Sequence, residues 1–251
     1  MVLFVGAGPG DVELITVKGK KALEKADCVI YAGSLVNEQL LEYCKKDVEI
    51  YNSATMTLEE VIEVMKTKAA ASKLIVRLHT GDPSLYGAIR EQMDELSTYN
   101  IPYDVIPGVS SFLGAAAAIK EELTLPGVSQ TVIITRRAGR TGNNEGGSLV
   151  ELAKHKATMS IFLSVQAIED VVKDLRTSYE ANTPIAVIYK ATWEDEKIVK
   201  GTLEDIAKKI KEAGINRFAQ ILVGDFMKDQ YTLSKLYDSK FSHMYRNRKD
   251  K

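Results

Sequence analysis

Three short stretches of this sequence carry residue types suited to holding a small ligand. Val5-Gly6-Ala7-Gly8-Pro9-Gly10-Asp11 puts three glycines in five positions directly after an apolar run, and glycine lets a backbone approach a ligand closely. Leu78-His79-Thr80-Gly81-Asp82-Pro83-Ser84-Leu85-Tyr86-Gly87 and Ile106-Pro107-Gly108-Val109-Ser110-Ser111 each follow a β-branched run in the same way. Alone, Gly81-Asp82-Pro83 reads as an ordinary turn and helix N-cap. Together the three loops fall at carboxyl ends of strands, the edge of an open α/β sheet where ligands bind.

The ligand class is narrowed by what the first loop lacks. A dinucleotide loop is G-x-G-x-x-G opening a helix, with an acidic residue about 20 positions on for the ribose. Here the spacing is G-x-G-x-G, the helix starts late, near Thr16, and Asp27 begins the next strand instead of ending it. Pro9 has no N–H, so it removes a donor from a loop that would otherwise face pyrophosphate with amides. No Gly-Lys-Ser or Gly-Lys-Thr follows, so a P-loop fails as well. A phosphate-free nucleoside ligand stays open.

The elements that must position these loops are legible from pattern. Strands are expected at 2–6, 27–31, 48–51, 73–79, 103–106, 131–135, 158–163, 184–190, 197–201 and 218–223, each bounded by turn-forming residues. Helices are expected between them. Thr57 and Glu60 form a capping box before Leu58, Val61, Ile62 and Met65; Ile168, Val171, Val172 and Leu175 share one face. Thr202 and Asp205 are expected to open a helix carrying Leu203, Ile206 and Ile210, stopped by Gly214. Strands alternating with helices indicate an α/β fold, and ten strands indicate two sheets. Ala115 to Ala118 followed by a charged stretch and Leu125-Pro126-Gly127 marks the boundary, giving two α/β lobes at 1–119 and 120–251, the second with a basic tail.

Composition limits the partners. The chain has 251 residues, with 33 Lys plus Arg against 34 Asp plus Glu. A formal net charge of -1 gives no global field to attract nucleic acid. Cys28 and Cys44 form no C-x-x-C, and His79, His155 and His243 are far apart, so no zinc or disulfide framework is visible and no metal site is expected. No apolar run approaches the about 18 residues of a membrane helix, and the N-terminus has no signal pattern. A cytoplasmic protein with no membrane or nucleic-acid partner is expected.

In order and spacing, Gly6-Ala7-Gly8-Pro9-Gly10-Asp11, Gly81-Asp82-Pro83 and Pro107-Gly108-Val109-Ser110-Ser111 resemble the tetrapyrrole (corrin/porphyrin) methyltransferase family, whose members use S-adenosylmethionine. The similarity covers nearly the whole chain. Arg77 to Gln92 (RLHTGDPSLYGAIREQ), Thr135 to Thr141 (TRRAGRT), Tyr189 to Glu196 (YKATWEDE) and Ser234 to Asp238 (SKLYD) look like the cobalt-precorrin-4 and precorrin-4 C11-methyltransferases within it. The resemblance implies a homodimer, a ligand cleft between two lobes, and methyl transfer from S-adenosylmethionine to C11 of a tetrapyrrole in cobalamin biosynthesis. It also implies donor contacts at Pro9, Thr80, Gly81, Asp82, Leu85, Ser110 and Ser111, with Leu163, Ala191 and Ala219 matched on small or apolar type alone.

A macrocycle fringed with carboxylates calls for cations, and Arg136, Arg137 and Arg140 supply a cluster suited to bidentate pairing. His79 reads either as a substrate contact or as a satisfied structural histidine, and Lys190 either as a carboxylate partner or as a solvated lobe edge. Tyr86 and Trp193 read as stacking or packing aromatics. The sequence departs from the family after strand two. Relatives commonly carry Tyr-Asp or Tyr-Ala-Asp there, whereas this chain has Tyr31-Ala32-Gly33-Ser34-Leu35, so no general base is assigned. Methylation at another ring carbon or of another substrate, a non-catalytic tetrapyrrole binder and a nicotinamide oxidoreductase are the rival readings.

Overall fold

The apolar run Val2–Gly6 forms strand β1 of the computed structural model. Val2, Phe4 and Val5 are all fully buried, so both faces of the strand are covered, as a central parallel strand requires. The structure describes residues 1–137, 147–234, 236, 238, 240–242 and 244–246. Strands β2 (Cys28–Tyr31), β3 (Glu49–Asn52), β4 (Ile75–His79) and β5 (Tyr103–Ile106) complete a five-stranded sheet of order β3-β2-β4-β1-β5. Every pairing in it is parallel, and the register sets Gly6 beside His79 and Val5 beside both Leu78 and Ile106.

Helices α1 (Val17–Lys25), α2 (Leu58–Ala70), α3 (Ile89–Thr98) and α4 (Ser111–Ile119) accompany this sheet. One core joins Ala22 and Leu23 of α1 to Val5, Val29 and Leu78. The other joins Val61, Ile62 and Met65 of α2 and Leu96 of α3 to Phe4, Ile30 and Ile75. Each fully buried side chain of this size contributes roughly 1.5–3 kcal/mol by leaving water, so the sheet is held from both sides. The capping box at Thr57 and Glu60 is present, with both reciprocal bonds made.

A second five-stranded sheet contains β6 (Val132–Arg136), β7 (Thr158–Phe162), β8 (Pro184–Tyr189), β9 (Lys197–Thr202) and β10 (Ala219–Val223) in the order β6-β7-β10-β8-β9. β6 and β7 are parallel and β7 and β10 antiparallel. With it go helices α5 (Leu149–Ala153), α6 (Ile168–Leu175) and α7 (Ile206–Glu212). The chain divides into two compact units, Met1–Ala118 with Ile188–Lys197, and Ile119–Val187 with Ile198–Lys251. The α/β class and the two sheets are as the sequence indicates.

Most strands differ from expectation by one residue at one or both ends, and two boundaries differ by more, for local reasons. β4 begins at Ile75, because the Leu74 N–H donates to Asp27 Oδ2 at 2.8 Å while its carbonyl accepts from the Asp27 and Cys28 amides. The helix expected from Thr202 begins only at Ile206. β9 runs through Thr202, and a turn closed by the Asp205 N–H on the Thr202 carbonyl at 3.1 Å comes before the helix.

Candidate functional site

The three loops meet because their strands are neighbours. β4, β1 and β5 lie side by side, so the residues after His79, Gly6 and Ile106 emerge together at one sheet edge. Gly6 packs against the others so closely that a Cβ there would stand 2.5 Å from Gly108 Cα and 2.6 Å from the Gly81 carbonyl oxygen. Only glycine permits that approach.

The loops are also bonded to each other. The Gly8 N–H donates to the Gly81 carbonyl at 3.2 Å, and the Gly81 N–H donates to the Gly8 carbonyl at 2.8 Å. Asp82 braces the second loop and the third: Oδ2 accepts from the Gly108 N–H at 2.9 Å and Oδ1 from the Ser84 N–H at 2.8 Å. The Gly8 amide, which would face pyrophosphate in a dinucleotide loop, is therefore committed to a protein oxygen. With the Gly8 and Gly81 amides occupied, the edge has fewer donors left for a polyphosphate.

The segment Ile188–Lys197 closes on the first loop. Trp193 Nε1 donates to the Pro9 carbonyl at 3.0 Å, and the Asp11 N–H donates to Thr192 Oγ1 at 3.0 Å. The indole fills the space a side chain at Gly10 would need, and Thr192 with Pro9 does the same at Gly114 of α4. Asn37 Nδ2 donates to the Gly10 carbonyl at 2.9 Å. The first loop is thus fixed by contacts remote in sequence, at Asn37, Thr192 and Trp193, that no glycine spacing reveals. The distinctive segment Tyr189 to Glu196 was the available signal.

The family model for Tetrapyrrole (Corrin/Porphyrin) Methylases matches residues 1–207. The chain belongs to that family. The cobalt-precorrin-4 C(11)-methyltransferase of Methanocaldococcus jannaschii is 61% identical over 247 residues, 98% of this chain and 95% of that one. Among solved structures, a cobalt precorrin-4 methyltransferase described as a cobalamin biosynthetic enzyme superposes with a TM-score of 0.87 at 45% identity, covering 90% of this chain and 95% of that one. The uroporphyrin-III C-methyltransferase of Thermus thermophilus complexed with S-adenosylhomocysteine gives 0.77 at 27% identity, covering 90% and 98%.

In this tetrapyrrole methylase, seven of the expected donor contacts, Pro9, Thr80, Gly81, Asp82, Leu85, Ser110 and Ser111, lie on the three converging loops of the first unit. Ala191 belongs to that unit too and is buried. Leu163 and Ala219 lie in the second unit. Leu163 follows β7 with a left-handed φ of 51° and is 57% exposed, an arrangement with no packing reward for a leucine.

The expected substrate cations of the methylase stand differently from one another. Arg137 is already neutralised: Nε donates to Asp174 Oδ2 at 2.9 Å, and Nη1 lies 3.4 Å from Asp170 Oδ2, both on α6. Lys190 is likewise committed, its ammonium 2.7 Å from Asp195 Oδ2 and over the rings of Tyr189 and Trp193. In both, the cation is held by acidic neighbours in a partly exposed pair. Arg136 ends β6, half-buried. Arg140 lies outside the described residues.

His79 is buried, but it is not the satisfied histidine of the second reading. It is 3% exposed, with its ring centroid 6.0 Å from that of Phe4, and Nε2 has no hydrogen-bond partner. Burial, with the Arg77 guanidinium nearby, pushes its pKa down to about 3, so the imidazole is neutral and cannot serve as a cation. The turn after β2 is not without a carboxylate either: Glu38 Oε1 accepts from the Tyr31 hydroxyl at 2.8 Å. No cluster of metal-ligating residues occurs among the described residues.

Proposed function

We propose that this methylase transfers the methyl group of S-adenosylmethionine to C11 of cobalt-precorrin-4 or precorrin-4, a step of cobalamin biosynthesis. The observation that carries the reading is the mutual closure of the Gly8 and Gly81 amides. It occupies the Gly8 amide that a phosphate cradle would use, which supports a nucleoside donor over a nicotinamide dinucleotide. The identity of 61% to a chain named for this reaction supports the choice of acceptor.

The donor, when bound, supplies a methyl group on a sulfonium that becomes a neutral thioether as the methyl leaves. The chain's own residues then have one principal task, orientation, which can contribute about 7–11 kcal/mol of a barrier without a covalent intermediate. Pro9, Thr80, Gly81, Asp82, Leu85, Ser110 and Ser111 form the donor edge in this reading. Pro9 has no N–H, so that position of the first loop would present no hydrogen-bond donor to a cationic ligand. Arg136 is one of the cations this reading offers to substrate carboxylates.

The homodimer and the cytoplasmic location belong to the same proposal. Leu233 and Met244, 76% and 87% exposed, supply apolar surface for a second copy. No described helix is long and apolar enough to cross a membrane. Cys28 and Cys44 are free thiols, in keeping with a reducing compartment.

The test is incubation of the purified chain with S-adenosylmethionine and cobalt-precorrin-4, with the product located by NMR. A new methyl carbon at C11 is expected. Methylation at another carbon, or none by a folded protein that binds both ligands, overturns the reading. Calorimetry should show S-adenosylhomocysteine binding and no NADH binding, and size-exclusion chromatography with light scattering should show a dimer.

A further inference from the structure

The segment from Arg77 to Gln92 is closed at its two ends by those same two residues. Arg77, on β4, donates from Nε to Gln92 Oε1 at 3.1 Å and from Nη1 to the Ile30 carbonyl at 3.1 Å. Gln92, on α3, donates from Nε2 to the Ala88 carbonyl at 3.0 Å. Both side chains are buried, at 6% and 5% exposure. Burying a guanidinium against neutral oxygens is costly, and it pushes the Arg77 pKa down to about 10. Such a group calls for a purpose that an apolar side chain could not serve.

The chemistry of the pair supplies one. A guanidinium only donates, so Gln92 must turn its oxygen toward Arg77. Its NH₂ is then left facing the Ala88 carbonyl, and the amide cannot flip without opposing two donors and two acceptors. The backbone it holds is unusual. Tyr86 and Ala88 both lie in the left-handed region, with φ of 57° and 49°, although neither is glycine. Gly87 between them rests on the Pro83 carbonyl, where a Cβ would collide with the oxygen. Ala88 precedes α3 with no side-chain cap of its own. Backbone in this region persists where its surroundings over-determine it.

We propose that Arg77 and Gln92 are positioning residues for the donor loop. Arg77 orients the Gln92 amide, Gln92 fixes the Ala88 carbonyl, and the left-handed turn so held folds Gly87 back on Pro83. Asp82 then passes the constraint to the third loop through Gly108. The proposal rests on the donor reading above for what the loop binds, but its structural part does not.

Three variants and a control test it, read by hydrogen exchange at the amides of Leu85 to Ala88 and by calorimetry with S-adenosylhomocysteine. Gln92→Glu keeps an acceptor for Arg77 but sets a carboxylate oxygen against the Ala88 carbonyl. It should raise exchange in the loop about tenfold and weaken donor-product binding about tenfold. Arg77→Met should act in the same direction, and Arg77→Lys, which still donates to Gln92 Oε1, should restore most of both. Leu96→Ala, buried on the same helix, should lower the melting temperature and change neither readout.

Wild-type exchange and affinity in Gln92→Glu would overturn the proposal. So would faster exchange with unchanged affinity, or equal effects from Leu96→Ala at a matched loss of stability. Failure of the wild-type chain to bind S-adenosylhomocysteine would overturn the donor reading instead, and exchange alone would then judge whether the pair holds the loop.

Discussion

Trp193 stands on Gly10: its indole N–H bonds the Pro9 carbonyl at 3.0 Å and its ring takes the place of any side chain at residue 10. The third glycine of the first loop is therefore a packing requirement set by a residue far along the chain. The loop reads as a ligand cradle in sequence, yet one face of it is already filled by protein.

Gly10→Ala should cost about 1–3 kcal/mol, the range for overpacking a filled site. In a Trp193→Ala background the same substitution should cost much less, since the obstructing ring is gone. Urea denaturation of the four proteins in a double-mutant cycle measures the coupling, and additive effects would contradict the contact.

Asp82 is expected to act through its two backbone bonds. Asp82→Ala should lower stability by about 1–3 kcal/mol, leaving the Gly108 and Ser84 amides without their acceptor. Asp82→Asn keeps one acceptor oxygen and should recover part of that loss. Calorimetry with S-adenosylhomocysteine should rank the two variants in the same order. A charge-dependent role would make them equal.

His79 makes stability pH-dependent in a defined direction. Its folded pKa, about 3, lies below the ordinary value of 6.5, so the unfolded chain binds the proton first. Its contribution is fully present above pH 6.5 and is lost as pH falls toward 3, at about 1.4 kcal/mol per unit below pH 6. Between pH 7 and pH 5 the loss is about 2 kcal/mol by this linkage. Denaturant midpoints across that range should show it in the wild type, and a His79→Phe variant should lack this component.

Arg137 and Arg136 should separate. Arg137→Ala removes a partly exposed ion pair with α6 and should cost under about 1 kcal/mol, with macrocycle affinity unchanged. Arg136→Ala should weaken macrocycle binding and leave S-adenosylhomocysteine binding intact. Fluorescence-quenching titrations with a stable carboxylated corrin provide the first readout and calorimetry the second. Loss of macrocycle binding in Arg137→Ala would show that Asp170 and Asp174 release it to substrate.

Much of the fold was legible because its signals are local. The β-branched runs around Val2 to Gly6 and Ile75 to His79, and the cap formed by Thr57 and Glu60, depend on neighbours within a turn or a strand. Thr202 and Asp205 show where that locality fails: the cap spacing occurs and Asp205 does bond back to the Thr202 amide at 2.8 Å, but Thr202 is held in β9 and the helix starts only at Ile206. Likewise three arginines in five residues announce a cation cluster, yet nothing nearby in sequence announces Asp174, which neutralises Arg137.

By itself the sequence determined the alternating α/β elements, the placement of three loops after three strands, and, through Pro9 and the glycine spacing, the exclusion of a dinucleotide fingerprint. These follow from backbone preference and hydrophobic period, which act over a few residues. Only the tertiary structure decided which groups remain available to a ligand. The Gly8 and Gly81 amides close on each other, Lys190 and Arg137 are paired, His79 is driven neutral, and Gln92 is oriented by Arg77. Each outcome depends on a partner brought close by parallel strand pairing and packing, and availability is set by that partner rather than by the residue's own type.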